Sequence, residues 1–209
     1  RSGELDGNLT AIAALTEDGT LDESVTDVKG TAQFANGEFV ASTLPAPLTN
    51  IRSQLLFKGQ KITLEDTGLQ LNDNELTASG DVDIDEGYDI TAQIPAISVA
   101  EVQALATLDL PIALDGTFQL DAQVTGELEQ PQLRGQLASL QPVLVDKLLL
   151  DSVVADFGLT EYAEGIKIPS RFDLNELRVR PRAGGVVVAR GQADLRDLEN
   201  PDFQMTAEA

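Results

Sequence analysis

The stretch Glu75–Asp85, E-L-T-A-S-G-D-V-D-I-D, decides the fold of this chain because apolar or small residues alternate in it with polar ones. The apolar or small positions are Leu76, Ala78, Gly80, Val82 and Ile84. The polar positions are Thr77, Ser79, Asp81, Asp83 and Asp85. Successive side chains of a β-strand point to opposite faces, so this stretch predicts a strand with one apolar face and one acidic face.

The same alternation returns at residues 118–129 and 187–196, and turn signals follow one another roughly every ten residues, the spacing typical of all-β chains. Consecutive hairpins predict an antiparallel sheet. The predicted turns are Glu17-Asp18-Gly19, Asn36-Gly37, Lys58-Gly59, Asn72-Asp73-Asn74 and Ala183-Gly184-Gly185, with Asn36-Gly37 the strongest hairpin signal. The apolar face of such a sheet must be covered by a second sheet or by an apolar ligand.

Composition excludes several classes of function. The chain has 14 basic and 35 acidic residues, a formal charge of −21, so we expect no nucleic-acid partner and little attraction to anionic lipid. It contains no Cys and no His, which excludes a thiol nucleophile, a Ser-His pair and the usual zinc site. We therefore expect no catalytic residues, no metal and no cofactor. Aromatic residues are only 4% of the chain, so the apolar face is predicted to be aliphatic.

One short helix and an internal repeat organise the predicted strands. Ser98 and Glu101 have the spacing of a capping box, which predicts a helix at 98–106. The strand G-T-A-Q-F at Gly30 leads after 50 residues to G-D-V-D-I at Gly80, and G-Q-L-A-S at Gly135 leads after 56 residues to G-Q-A-D-L at Gly191. We therefore predict two repeats, residues 1–106, ending in the helix, and residues 107–209. Glycines on the apolar side of strands permit the sheet to curl about that face.

The motif that points to a family runs from Gly126 to Leu137, G-E-L-E-Q-P-Q-L-R-G-Q-L, and joins two strands of matching phase through Pro131. It resembles the repeated strand signature of the AsmA-like superfamily, and most closely that of the TamB family, the inner-membrane component of the translocation and assembly module. The stretches G-E-L-D-G-N-L at 3–9 and I-T-L-E-D-T-G-L at 62–69 add to the likeness.

This resemblance implies a long antiparallel sheet curled into a U-shaped trough, a beta-taco, with an apolar interior. TamB-like proteins are anchored in the inner membrane by an N-terminal helix, cross the periplasm and engage an outer-membrane assembly barrel through their C-terminal region. They are linked to phospholipid transport, outer-membrane biogenesis and protein transport. No anchor helix and no C-terminal domain are recognisable in the sequence, so we expect an internal segment of a periplasmic trough.

The expected partners are phospholipid acyl chains, held by burial and not by chemistry. The residues predicted to line the trough are large apolar side chains on the inward positions of the strands: Leu55, Phe57, Leu69, Leu71, Leu76, Val82, Ile84, Ile90, Phe118, Leu120, Val124, Leu128, Leu133, Leu137, Phe157, Phe172, Leu174, Val187 and Leu195.

Several alternatives stay open at the level of sequence. Two such sheets could pack as a sandwich. The protein could be a periplasmic scaffold that assists outer-membrane protein insertion or protein import through an assembly barrel, offering sheet edges to client strands. It could also be a surface repeat protein.

Two polar clusters also have alternative interpretations. The acidic run Asp81–Glu86 could suggest a calcium loop, but its glycine comes one position late and Ala92 stands where the final Glu is required, which favours a solvated strand face. The cluster Arg178, Arg180, Arg182 and Arg190 could bind a lipid phosphate or an acidic partner, although local compensation of the acidic charge is the favoured interpretation.

Overall fold

The alternating stretches form β-strands in the computed structural model, which describes residues 4–15, 21–40, 47–72, 74–101, 113–162, 169–196 and 202–208. Fourteen strands belong to one hydrogen-bonded sheet. In chain order they are β1 (Glu4–Leu15), β2 (Leu21–Phe39), β3 (Leu48–Lys58), β4 (Lys61–Leu71), β5 (Asn74–Asp83), β6 (Gly87–Ser98), β7 (Leu114–Asp115), β8 (Thr117–Gly126), β9 (Gln132–Ser139), β10 (Val143–Val145), β11 (Leu148–Tyr162), β12 (Pro169–Pro181), β13 (Val187–Asp194) and β14 (Asp202–Glu208).

Most strands pair with the next strand along the chain, and these pairings are antiparallel. The path of the sheet is open, because β1 pairs only with β2 and β14 only with β13 among the described strands. The predicted all-β antiparallel fold is therefore confirmed. Sequence analysis missed β7 and β10, since strands of two or three residues are too short to show an alternating pattern.

The chain divides into two compact units, Arg1–Thr91 and Ala92–Ala209, and the division falls inside β6. Strands β1 to β5 and the first half of β6 make up unit 1, in chain order across the sheet. In unit 2 the order is β6-β8-β9-β11-β12-β13-β14, with β10 beside β11 and β7.

The turns agree with the sequence in part. Gly59, Asn72 and Gly184 take positive φ angles in turns, as predicted. The predicted hairpin at Asn36-Gly37 is wrong, because both residues lie inside β2. There they form an irregularity, with Phe34 opposite Ser53 and Gly37 opposite Ile51, and Asn36 has a φ of 53°. The predicted turn at 17–19 lies outside the described residues.

The capping box is confirmed in atomic detail. The Ser98 backbone N–H and hydroxyl both donate to Oε2 of Glu101, at 2.7 and 2.6 Å, and the Glu101 N–H donates to the Ser98 hydroxyl at 3.2 Å. These bonds satisfy donors that a helix start leaves free. The helical residues described are 99–101, and the rest of the predicted helix, residues 102–106, lies outside the described part.

A small packed cluster in unit 2 holds most of the large buried side chains. Its apolar members, each at most 8% exposed, are Ile94, Ile97, Val99, Phe118, Val143 and Leu150. The cluster is held by local pairing, since the Val99 N–H donates to the Gly116 carbonyl at 3.0 Å and Val143 stands opposite Leu150. Elsewhere in the described residues, the buried apolar side chains are all alanines: Ala32, Ala155, Ala189 and Ala193.

Candidate functional site

The candidate site is the apolar face of the sheet, described here for each unit by itself. In unit 1 its centre is a row of residues that stand opposite one another on successive strands: Gly7, Ala32, Leu55, Leu64 and Gly80. A neighbouring row contains Gly30, Phe57, Ile62 and Val82. Antiparallel register therefore aligns the alternating apolar positions of β1 to β5 on one face.

In unit 2 the corresponding central row is Ala122, Gly135, Phe157, Leu174, Gly191 and Met205. The row beside it is Val124, Leu133, Leu159, Phe172, Ala193 and Phe203. The rings of Phe157 and Phe172 stack across β11 and β12 with centroids 5.9 Å apart. Each unit thus presents a face built almost wholly from aliphatic and phenyl side chains.

Most large side chains of these rows are half-buried, among them Leu55, Phe57, Leu64, Phe157 and Leu174. A second sheet packed on this face would interdigitate with them and remove them from water, as in a sandwich core. The described strands belong to a single sheet, so no separate second sheet of described residues covers this face. The large apolar side chains of the face in each unit therefore keep part of their surface exposed.

Polar groups on the face of unit 1 lie toward one end. The hydroxyls of Ser53 and Thr67 bond to each other at 2.6 Å, so both are satisfied although both residues are buried. Nδ2 of Asn74, a residue only 6% exposed, has no hydrogen-bond partner among the described residues. Along the central row itself no side chain carries a hydrogen-bonding group.

Most of the predicted lining residues lie on this face, in the strands of either unit. They are Leu55, Phe57, Leu69, Leu71, Leu76, Val82, Ile90, Phe118, Leu120, Val124, Leu133, Leu137, Phe157, Phe172, Leu174 and Val187. Phe118 differs from the others because it belongs to the packed cluster and is 7% exposed.

Three predicted lining residues lie off the strands. The predicted strand extends to Asp85, but β5 ends at Asp83 and Ile84 lies in a turn, 65% exposed. Leu128 lies in the turn after β8 and is 36% exposed. Leu195 follows the end of β13, where its N–H donates to the Ser170 carbonyl at 2.7 Å.

Sequence analysis missed Leu159, Phe203 and Met205 of the rows described above. It also missed Ile62, Leu64, Leu177 and Val179, and it missed these four because the alternation changes phase within two strands. In β4 the register jumps from Leu64 to Thr67, and in β12 from Leu174 to Leu177. Each bulge inserts a polar pair, Glu65-Asp66 or Asn175-Glu176, and moves the inward positions from even to odd numbers. The polar pair interrupting the pattern is the signal that could have revealed them.

The opposite face carries the charges, which pair locally. Arg178 and Arg190 both form ion pairs with Glu176, at 2.8 and 3.2 Å. Together they lower the pKa of the Glu176 carboxyl, and Arg178 has the larger effect. Arg182 binds Asp151 at 2.8 Å. These pairs favour local charge compensation for the arginine cluster over a site reserved for phosphate.

The acidic run in β5 is likewise a solvated strand face. Lys61 and the Thr63 hydroxyl bind Asp81 at 2.7 and 2.6 Å and lower its pKa, Lys61 contributing most. Asp83 accepts N–H bonds from Asp85 and Glu86 in the turn that follows. Within the described ranges, no three or more Asp, Glu, His or Cys side chains are grouped so that they could hold a metal ion.

Comparison with known proteins gives no identification: no family model, no curated protein and no solved structure matches the chain. In the part of the chain that the structure describes, no helix combines the length and the apolar character that crossing a membrane requires.

Proposed function

We propose that this chain is the apolar β-groove segment of a TamB-like bridge between the inner and outer membranes. In this proposal it shields phospholipid acyl chains as they cross the periplasm and so supports outer-membrane biogenesis. The observation that carries the proposal is the aliphatic face of each unit, which the described chain leaves half-exposed and uncovered by a second sheet. The protein acts by burial and has no catalytic role.

The energetics of acyl burial support this function. Each CH₂ group removed from water contributes about 0.8 kcal/mol, so roughly ten groups laid along the face contribute about 8 kcal/mol before ordering costs. The large members of the central rows, Leu55, Leu64, Phe157 and Leu174, offer no hydrogen bond that would fix the ligand in one place. A ligand held only by apolar contact can slide from row to row, which suits conduction.

Lipid bound to the purified chain tests the proposal. We expect native mass spectrometry and lipid extraction to detect phospholipid on the wild-type protein. Val82→Asp in unit 1 and Val124→Asp in unit 2 should lose most of it, because each places a carboxylate on the apolar face.

Two control variants place the same carboxylate on the opposite face. The first control is Thr77→Asp on β5. Thr77 stands opposite Gly68, and the Arg52 guanidinium lies over Gly68. Val154→Asp lies on β11, opposite Arg178. Both should keep their lipid. Equal lipid content in all four variants, with unchanged circular dichroism, would contradict the groove.

A second candidate function is the structural scaffold that assists outer-membrane protein insertion or protein import through an assembly barrel. The exposed edge strand β14 favours it, since all seven of its residues are exposed and an edge strand can accept another strand. A stable, monodisperse wild-type protein that carries no lipid would support this function over the first.

A further inference from the structure

One buried amide on the apolar face of unit 1 has no hydrogen-bond partner. Asn74 is only 6% exposed, and its Nδ2 makes no hydrogen bond to a described residue. Buried polar side chains in folded proteins nearly always have a partner, so an unpaired buried donor calls for an explanation. The two buried hydroxyls of the same face, Ser53 and Thr67, bond to each other at 2.6 Å. Among the described residues of unit 1, Asn74 is therefore the exception.

Register places the Asn74 side chain on the same face as the apolar rows. Asn74 stands opposite Leu71, and Leu71 stands opposite Leu48. Because β5 alternates in one phase, the amide points to the same side as Leu76 and Val82. An asparagine beside a turn commonly bonds nearby backbone groups, but Nδ2 makes no such bond to a described residue. A role in closing the turn therefore does not account for this amide.

Asn74 lies at the rim of the face. It is the first residue of β5, and Asn72 in the turn before it is exposed. From Leu76 to Val82 the residues on this face carry no polar side chain, over about 20 Å at about 3.4 Å per residue. At the other end of this stretch Val82 stands opposite Ile62, and both are apolar. Of the two ends of the apolar stretch on β5, the one at Asn74 carries the hydrogen-bond donor.

We propose that the Asn74 amide donates a hydrogen bond to the carbonyl oxygen of an acyl group whose hydrocarbon chain lies on the apolar face of unit 1. This inference rests on the proposed function, which assigns acyl chains to that face. The NH₂ of an asparagine can only donate, so the ligand atom is an acceptor. A phospholipid carries its ester carbonyls between the acyl chains and a charged headgroup, and the headgroup stays in water because burying a charge is costly. A carbonyl held at the rim therefore leaves the headgroup at the exposed turn and the acyl chain on the face.

The same bond gives the ligand a direction. Nδ2 itself is covered, and the oxygen reaches it between Leu71 and Leu76, which are only half-buried. Forming the bond breaks no hydrogen bond of the Nδ2 group to a described residue. Apolar contacts along the rest of β5 do not distinguish the two ends of an acyl chain, whereas this donor does. Asn74 thus sets the orientation of the lipid in unit 1 and the place where a sliding chain pauses.

Three probes of equal chain length separate the acyl oxygen from the hydrocarbon chain: a pyrenyl alkane, the methyl ester of a pyrenyl fatty acid, and the free acid. Methyl NMR shifts of Leu71 and Leu76 report the affinity of each probe beside position 74. In Asn74→Leu, which removes the donor and keeps the size, the affinity for the ester relative to the alkane should fall about fivefold, the effect of one net hydrogen bond. This variant should be at least as stable as wild type, because it removes an unpaired buried group.

Thr67→Val is the matched control. Thr67 is also 6% exposed on the same face, but its hydroxyl already bonds to Ser53. The ratio of ester to alkane affinity in Thr67→Val should equal that of wild type, even if the variant is less stable.

The Asn74 amide gives a second and direct readout. Its nitrogen–proton resonances, identified by their absence in Asn74→Leu, should shift when the ester binds and stay in place when the alkane binds. The carbonyl stretch of an isotope-labelled ester should have a lower frequency on wild type than on Asn74→Leu. A response to the ester assigns the bound oxygen to a lipid ester, and a response to the acid alone assigns it to a free fatty acid.

Failure of this inference and failure of the proposed function give different results. If wild type binds the alkane and the ester, but Asn74→Leu leaves their affinity ratio and the ester carbonyl frequency unchanged, the role of the amide is refuted and the apolar groove stands. If wild type binds neither probe, the proposed function is refuted and the role of the amide falls with it.

Discussion

Asp194 is a carboxyl group whose pKa is strongly lowered in the folded chain. Its carboxylate accepts bonds from the Arg196 backbone N–H at 3.0 Å and from Arg196 Nε at 2.8 and 2.9 Å. The Arg196 side chain, with its backbone N–H adding to the effect, lowers the pKa of Asp194 from 3.8 to about 2. A lowered pKa means that the folded chain favours the charged form, so this contribution to stability is complete above pH about 4 and is lost as the pH falls toward 2.

The substitution Arg196→Gln should raise the pKa of Asp194 part of the way to 3.8, since the backbone N–H remains and the guanidinium is lost. Carboxyl chemical shifts followed by NMR between pH about 1.5 and 6 measure the midpoint directly. The distant substitution Arg182→Gln, which removes a partner of Asp151, is the control and should leave the Asp194 midpoint unchanged. A titration midpoint of Asp194 still near 2 in Arg196→Gln would show that a group other than the Arg196 guanidinium lowers its pKa.

Close approach of neighbouring strands depends on glycines in the central rows, which is a property of the elements. Gly80 has a φ of +133°, and a Cβ there would collide with the Asp89 carbonyl oxygen. Gly80→Ala should therefore lower the free energy of unfolding by about 1–3 kcal/mol. Gly191→Ala should act in the same direction, because its Cβ would lie 2.6 Å from the Gln204 carbonyl oxygen. Urea denaturation followed by circular dichroism measures both.

Gly158→Ala is the matched control on β11. A Cβ there would meet nothing closer than the Leu133 carbonyl oxygen at 3.6 Å, and the φ lies outside the left-handed region. Its free energy of unfolding should stay within about 1 kcal/mol of wild type, on the stable side, because alanine reduces the freedom of the unfolded chain. A loss as large as that of Gly80→Ala would mean that glycine substitution weakens strands here without regard to strand spacing.

The sequence predicts those strands in which alternation is unbroken, and it fails where a bulge intervenes. Residues 75–83 and 118–124 keep one phase, so their inward residues follow from counting by two. At Asn36-Gly37 the local signal is the positive φ of Asn36, which a hairpin and a bulge share. Whether the chain turns or continues at Asn36-Gly37 depends on β3, because Ile51 pairs with Gly37 and β2 continues past it. This contact joins residues that are distant in sequence, so no local pattern could predict it.

The candidate face was predictable in its chemistry but not in its accessibility. Alternation alone places Leu55, Val82 and Val124 on one side, yet it cannot tell an open face from one covered by a second sheet. That distinction appears only in the tertiary structure, where large buried side chains collect in the cluster around Val143 and the rows remain half-exposed.

At the scale of the whole molecule, the charge of −21 determines which lipid surfaces the chain can approach. The acidic residues of β5 lie on the face opposite the apolar rows. If the chain has the proposed function, it should repel an anionic surface while its apolar face still accepts acyl chains. We therefore predict faster uptake of a pyrene-labelled phosphatidylcholine from phosphatidylcholine vesicles than from vesicles that also contain phosphatidylglycerol, when both are compared at low salt.

Salt separates this electrostatic barrier from acyl burial. In about 1 M salt the Debye length falls to about 3 Å, so the rates from the two kinds of vesicle should converge, mainly through a rise on the anionic vesicles. Val124→Asp should slow uptake from both, because it changes the apolar face, whereas Val154→Asp should leave the ratio of rates close to that of wild type. Faster uptake from anionic vesicles at low salt would contradict the barrier and would assign to Arg178 and Arg190 a role in docking on lipid phosphate, beyond their pairing with Glu176.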